Sequence, residues 1–388
     1  MRKILYIGIL LFANILTLCA QEPEQVKSIV KVSKPHEWYL KQAELWKKEI
    51  DKNPKSENAW LNYFMANRYS LHKFFNVPSD SVQQFVDKNS FLMNPDSLVV
   101  NADRAIPNTF TSNYLKWRNG GVASLENFKY LEKAYEMNPN YEGLCVEMVA
   151  YYAVQNDIGK RKEYNEKWFK QNGQSSYVLN YNYNVLMSVK PNGILLIFGD
   201  NNTFPVWILQ DVLGVRNDVK TLNASFLGIN SFREKVFKEL DIAQMDTTGG
   251  KHYDEGQIVD HIIKNRHANQ PLFVGLGSWK EFDKYPNMYL EGLVLEYSTE
   301  NVDNIASLQD NFENKYQLDY ISNRFISEES TEIVNRMNMG YLAGIFKLYD
   351  HYKKCGDFNK SEKMKALGLA IGNNLPKETK DWVTESLK

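Results

Sequence analysis

The chain has 388 residues, with 46 Lys and Arg against 47 Asp and Glu, for a formal charge of −1 at neutral pH. That balance gives no electrostatic case for nucleic acid or anionic lipid as a partner, and the length suits two or three domains. Aromatic residues make up 13% of the chain, including 23 Tyr and 8 Trp, which suits large-area packing of helix on helix.

Arg2 and Lys3 precede an almost wholly apolar run from Ile4 to Leu18. The run is too short for a comfortable membrane span and has the form of a secretory signal. Cleavage after Ala20 would leave Gln21 first and place the protein in the periplasm or outside the cell. Acylation of Cys19, as in a lipoprotein, is an alternative that the bulky Leu18 disfavours. An uncleaved anchor is the third. No later segment approaches the ~20 apolar residues of a spanning helix. Without the first twenty residues, Cys145 and Cys355 remain, both in expected helices among apolar neighbours. An oxidising compartment permits a bridge between them. Two buried thiols acting as small hydrophobes are the simpler expectation.

Residues 21–176 read as helical. Leu40, Ala43, Trp46 and Ile50 recur at three to four residues, Asn53-Pro54 stops that helix, and Ser56 caps the next, which carries Trp60, Phe64 and Leu71. Asn-Pro returns at Asn94-Pro95 and Asn138-Pro139. Between Leu125 and Asn172, a helix ending at Met137, a second lined by Cys145, Met148 and Tyr152, and a third closed by Trp168 and Phe169 resemble tetratricopeptide repeats.

The pattern changes over residues 177–325. Gly193 to Phe198 is a short continuous apolar run, as a buried parallel strand requires. Gly199-Asp200-Asn201-Asn202 follows as a turn, then a helix marked by Val206, Leu209 and Leu213 with Pro205 in its first turn, closed by Gly214. Val219 to Asn223 is the next strand. A helix over Ile258 to Ile263 and strands over Pro271 to Gly275 and Leu293 to Tyr297 extend the layer to three to five strands. Residues 326–388 return to helices, with Met337, Tyr341, Ile345, Leu348 and Tyr352 on one stripe, a turn at Gly356-Asp357-Phe358, and Met364, Leu367 and Ile371 on the return. The expected fold is therefore mainly α: an α/β unit with a short, mainly parallel sheet, flanked on both sides by TPR-like α-helical hairpins.

The turn after the first strand is the candidate site, because ligands of open α/β sheets sit beyond the carboxyl ends of strands. Gly199 allows a tight turn. Asp200, Asn201, Asn202 and Thr203 stand at a helix start, whose free N–H groups favour an anionic or hydroxyl-rich ligand. Trp207 and Gln210 would line a wall, and Asn223 and Ser225 end the adjacent strand. Trp279, Glu281 and Asp283 follow a later strand end and could join them. The alternative is that Asn202 or Thr203 merely caps the helix and Asp200 ties down the turn. Asp200 is the one candidate for catalysis, and it lacks a paired acid or histidine. Gly275-Leu-Gly277 and Gly249-Gly250-Lys251 do not complete nucleotide-binding motifs. The six histidines lack metal-ligand spacing, so neither cofactor nor metal is expected.

Gly199-Asp200-Asn201-Asn202-Thr203-Phe204-Pro205-Val206-Trp207, with Leu209-Gln210, Gly214-Val215-Arg216, Asp218-Val219, Asn223 and Ser225, resembles a signature of one family. It occurs in the soluble C-terminal part of bacterial membrane proteins related to protein O-mannosyltransferases. Glu291-Gly292-Leu293-Val294 and the hairpin at Gly356-Asp357 resemble later segments of it. Asn202 replaces a usual second Asp and Ile208 a usual aromatic residue, which weakens a metal or acid–base role. The family's transfer chemistry is attributed to a multi-spanning membrane half, and no such segment is legible here. The resemblance implies an exported binding or assembly protein with a protein or glycan partner in the envelope. The alternative is an enzyme on a sugar or acyl substrate using Asp200.

Overall fold

The computed structural model describes residues 21–72, 79–122, 124–276 and 287–388. The signal-like segment with Cys19, and Gly277, Trp279, Glu281 and Asp283, lie outside the described residues.

The chain is mainly helical and carries one small mixed sheet. It divides into two units. The first comprises the described residues before 30, Lys34–Gly121 and Glu132–Asn138; the second comprises Val30–Ser33, residues 122–131 and Pro139–Lys388.

The helices of the first unit are α1 (His36–Lys52), α2 (Glu57–Leu71), α3 (Ser79–Lys88), α4 (Pro95–Ala105) and α5 (Phe110–Gly120). The Ser56 cap acts as expected, whereas Asn94-Pro95 opens a helix. Ser56 accepts the Ala59 N–H at 3.2 Å to cap α2, and Asn94 accepts the Asp96 N–H at 3.0 Å with Pro95 at the first helical position. Tyr39, Trp46, Trp60, Tyr63 and Phe64 form the core.

The chain continues through α6 (Phe128–Met137), which the two units divide between them. The second unit then holds α7 (Leu144–Val154), α8 (Ile158–Lys170) and α9 (Ser176–Met187), followed by β1 (Ile194–Ile197), α10 (Asp200–Asp211), β2 (Lys220–Asn223) and the short α11 (Ala224–Leu227). Next come α12 (Asn230–Glu239), α13 (Glu255–Asn265), β3 (Leu272–Gly275), β4 (Met288–Leu290) and β5 (Val294–Tyr297). It closes with α14 (Ile305–Asp310), α15 (Asp319–Ser322), α16 (Thr331–Asn338), α17 (Leu342–Cys355), α18 (Phe358–Gly372) and α19 (Lys377–Ser386).

The strand order is β2-β1-β3-β5-β4. The pairs β1–β2 and β1–β3 are parallel, while β3–β5 and β4–β5 are antiparallel. The sheet is therefore evenly mixed rather than mainly parallel. The three-residue β4, which no apolar run announces, adds the second antiparallel pair. All four residues of β1 are buried, which explains its unbroken apolar sequence: helices cover both faces. Leu195, Ile197 and Phe273 face a core shared with α9, α10 and α17, and Ile194, Leu196, Leu272 and Val274 face one shared with α12 and α13.

Three local expectations change. Helix α10 starts at Asp200, so Pro205 stands at its sixth position and not in its first turn. Leu213 lies beyond the helix end and is 49% exposed. Cys145 and Cys355 are both free thiols, and only Cys145 is buried. Cys355 is the last residue of α17 and is exposed there, although it follows Leu348 at the spacing of the buried face.

Candidate functional site

The sheet order creates one distinctive place. From β1 the chain goes through α10 to β2 on one side. From β2 it returns through α12 and α13 to β3 on the other side of β1. Val206 and Leu209 of α10 pack on one face of the sheet, and Phe232, Val236, Ile258 and Ile262 of α12 and α13 pack on the other. The strand order thus reverses between β1 and β3: β1 leads to a neighbour on one side, and β3 is reached on the other. The carboxyl edge between these two strands is the switch point where open α/β sheets accept ligands. The Gly199 turn sits there.

Gly199 adopts φ 77° and ψ 155°, a conformation that side-chain-bearing residues strongly avoid. An added Cβ would meet nothing within 4 Å, so the glycine answers to the backbone and not to crowding. Gly199 and Asp200 are exposed, and Asn201 and Asn202 are half-buried. Asp200 occupies the first helical position, where the N-terminal dipole favours a carboxylate.

The neighbouring polar groups secure this turn. Thr203 is fully buried and donates its hydroxyl to Gly199 O at 2.9 Å. The Thr203 hydroxyl oxygen in turn accepts from Asn223 Nδ2 at 2.8 Å. Asn223, 3% exposed, uses its Oδ1 to accept the Phe226 N–H at 2.9 Å and so caps α11. Asn202 Nδ2 donates to Phe198 O at 3.0 Å. A continuous set of side-chain bonds therefore joins the ends of β1 and β2 and fixes the Gly199 backbone.

Two expected wall residues do other work. Trp207 is 2% exposed, with the Arg161 guanidinium 5.0 Å from its ring centroid and Phe204 and Phe226 beside it. Its indole is packed between Arg161 of α8 and Phe226 of α11 in the interior, so it does not line an open wall. Gln210 donates to Arg216 O at 3.0 Å and Val219 O at 2.8 Å, clasping the α10–β2 loop. Ser225 is exposed and donates to Glu255 Oε1 at 2.8 Å. The structure thus brings Gly199, Asp200, Asn201, Asn202, Thr203, Asn223 and Ser225 to the carboxyl edge and assigns Trp207 and Gln210 to packing and loop closure.

Asn182 of α9 was not legible as a participant. Its Nδ2 donates to Asn201 O at 2.8 Å and to Val178 O at 2.9 Å. The available signal was an asparagine inside the apolar stripe of Tyr177, Val178, Tyr181 and Val185, since a buried amide must find partners. Among the described residues no three His, Cys, Asp or Glu side chains form a metal-ligand group. No helix among them is long and apolar enough to cross a membrane.

No curated protein and no solved structure gives a significant match to this chain. Residues 178–272, which run from α9 into β3 and contain the whole Gly199–Ser225 arrangement, match the family model described as TMEM260-associated domain 2.

Proposed function

We propose that this chain is an exported binding or assembly protein of the cell envelope, and that it receives a glycan, glycoprotein or protein partner at the Gly199–Asn201 turn. The observation that carries this reading is the exposure of Gly199 and Asp200 at the carboxyl edge of the sheet. Asn202, Thr203 and Asn223 hold its backbone in place, and Asp200 is exposed at the switch point of the sheet. A rigid turn presenting a carboxylate and an amide suits hydroxyl groups of a sugar or N–H groups of a peptide. The resemblance of the Gly199–Ser225 segment to the family related to protein O-mannosyltransferases supports a glycan-related role, and the first twenty residues support export.

The test compares the wild-type chain with Asp200→Ala and Asn201→Ala on glycan arrays and in pull-downs from envelope extracts, with melting temperature measured in parallel. The expected result is loss of binding with a melting temperature within a few degrees of wild type. Blank arrays and empty pull-downs for the wild-type chain would reject the reading. A large fall in melting temperature for Asp200→Ala would make that residue part of the turn's own support.

A further inference from the structure

In the first unit, α1 and α2 together hold a stretch of chain that belongs to neither helix. Residues 22–28 form no helix or strand. Gln42 Oε1 accepts the Glu24 N–H at 2.7 Å, and Asn62 Oδ1 accepts the Val26 N–H at 2.7 Å. Trp46 Nε1 donates to Glu24 O at 2.8 Å. Trp38 Nε1 donates to the Glu24 carboxylate at 3.1 Å, and Gln25 Nε2 donates to Asn58 Oδ1 at 3.1 Å. Trp38, Gln42 and Trp46 recur every four residues on α1, and Asn58 and Asn62 do so on α2, so each set shares one helix face.

These amides are placed to read a main chain. Gln42 is fully buried and Asn62 is 2% exposed. A buried amide oxygen requires a donor, and here both donors are backbone N–H groups. They belong to residues 24 and 26, whose N–H groups point the same way in an extended chain. Asn62 Nδ2 donates to Asn58 O at 2.8 Å, which fixes which end of the amide faces the segment. Of residues 22–29, Val26 alone is buried, and Ile29 packs against the same core. Glu22, Gln25 and Lys27 are exposed. The groove therefore grips the backbone, one carboxylate and one β-branched side chain. Main-chain bonds of this kind give affinity to many sequences, and the side-chain pocket selects among them.

We propose that the α1–α2 groove is a receptor for an extended peptide of a partner protein, one with an acidic residue two positions before a β-branched apolar residue, and that residues 22–29 occupy it in place of that peptide. The reading does not involve the Gly199 turn. Ala43, Ile50, Ala59, Tyr63 and Phe64 of the two helices belong to one hydrophobic core without the segment's help. Release of the segment thus gives up its hydrogen bonds and the Val26 contact while the helix pair stays joined.

The test titrates a fluorescent peptide of residues 22–29 into the full chain and into its Val26→Asp variant, with binding read by anisotropy. A carboxylate in the Val26 pocket evicts the resident segment, and the free peptide, which keeps its valine, then takes the groove. A tethered occupant weakens the apparent affinity for a competitor, so Val26→Asp is expected to bind the peptide at least about tenfold tighter than wild type. Adding Asn62→Ala to Val26→Asp should weaken that binding about tenfold, because the Val26 N–H loses its acceptor. Binding to Val26→Asp no tighter than to wild type, or binding unchanged by Asn62→Ala, would overturn the proposal. Should either variant fail to fold, native-state hydrogen exchange of the wild-type chain decides. The Glu24 and Val26 N–H groups must exchange more slowly than in the free peptide and faster than the Phe64 N–H of α2. Exchange at the Phe64 rate makes the segment a fixed part of the core, exchange at the free-peptide rate leaves the groove unoccupied, and either rejects the receptor.

Discussion

Asn182 donates its side-chain amide to the carbonyl of Asn201 at 2.8 Å, and that carbonyl is the one Pro205 leaves without a helical partner. A proline has no N–H to return to the residue four before it. Helix α10 tolerates Pro205 at its sixth position because α9 supplies the missing donor. Asn182→Ala is therefore expected to cost about 1–3 kcal/mol, the penalty for an orphaned buried polar group. Pro205→Ala restores the backbone donor, so the double variant should lose less than the sum of the single changes. Urea unfolding of the four proteins measures the coupling, and strictly additive losses would separate the two residues.

Gly199→Ala should destabilise by about 1–3 kcal/mol through backbone strain alone. Its Cβ would enter open space, so the cost must come from φ 77° with ψ 155°. Asparagine, which tolerates the left-handed helical region, should give no relief here, because this ψ lies far from it. Chemical denaturation of Gly199→Ala and Gly199→Asn checks both statements.

Asn223→Asp should be as damaging as Asn223→Ala, a loss of about 1–2 kcal/mol. Aspartate keeps the acceptor that caps α11, but it cannot donate to Thr203. The Thr203 hydroxyl hydrogen is already committed to Gly199 O, so a carboxylate would face a lone pair. Equal stability of Asn223→Asp and wild type would show that the bond to Thr203 contributes little.

Asp218 provides an acid-limb prediction. The Arg216 guanidinium beside it, and next the Asn192 N–H, hold its carboxyl down to about 2 from an ordinary 3.8. A depressed native pKa contributes stability that is present above the unfolded value and lost as pH falls through the native one. Asp218→Asn should therefore flatten part of the stability loss between pH 4 and pH 2 and leave the slope above pH 5 unchanged. The pair is partly exposed, so the effect should shrink in high salt. Melting temperature against pH at two salt concentrations measures it.

The two described cysteines should differ in accessibility. Maleimide should label Cys355 in the native protein and reach Cys145 only on unfolding, since Cys145 is buried and burial raises its thiol pKa. Peptide mapping after labelling distinguishes them, and native labelling of Cys145 would contradict its placement in the core.

Local signals were enough to show where the elements lie. The Asn53-Pro54 stop, the Ser56 cap, the apolar run of β1 and the glycine after it each act within a few residues, so sequence spacing reveals them. The polar turn after β1 was legible for the same reason. What each polar side chain does there was not. Asn182, Thr203 and Asn223 come from three separate segments, and only packing of α9 and β2 against α10 decides that they fasten one backbone. Trp207 reads as a possible wall residue because aromatic content does not reveal direction; packing of α8 and α11 against α10 makes it core. Sequence alone determined the longer helices, the apolar strands and the turns between them, because these depend on neighbours along the chain, though not β4 or the bounds of α10. The tertiary structure decided which buried polar groups are occupied, because hydrogen-bond partners are chosen in space and each donor can be given only once.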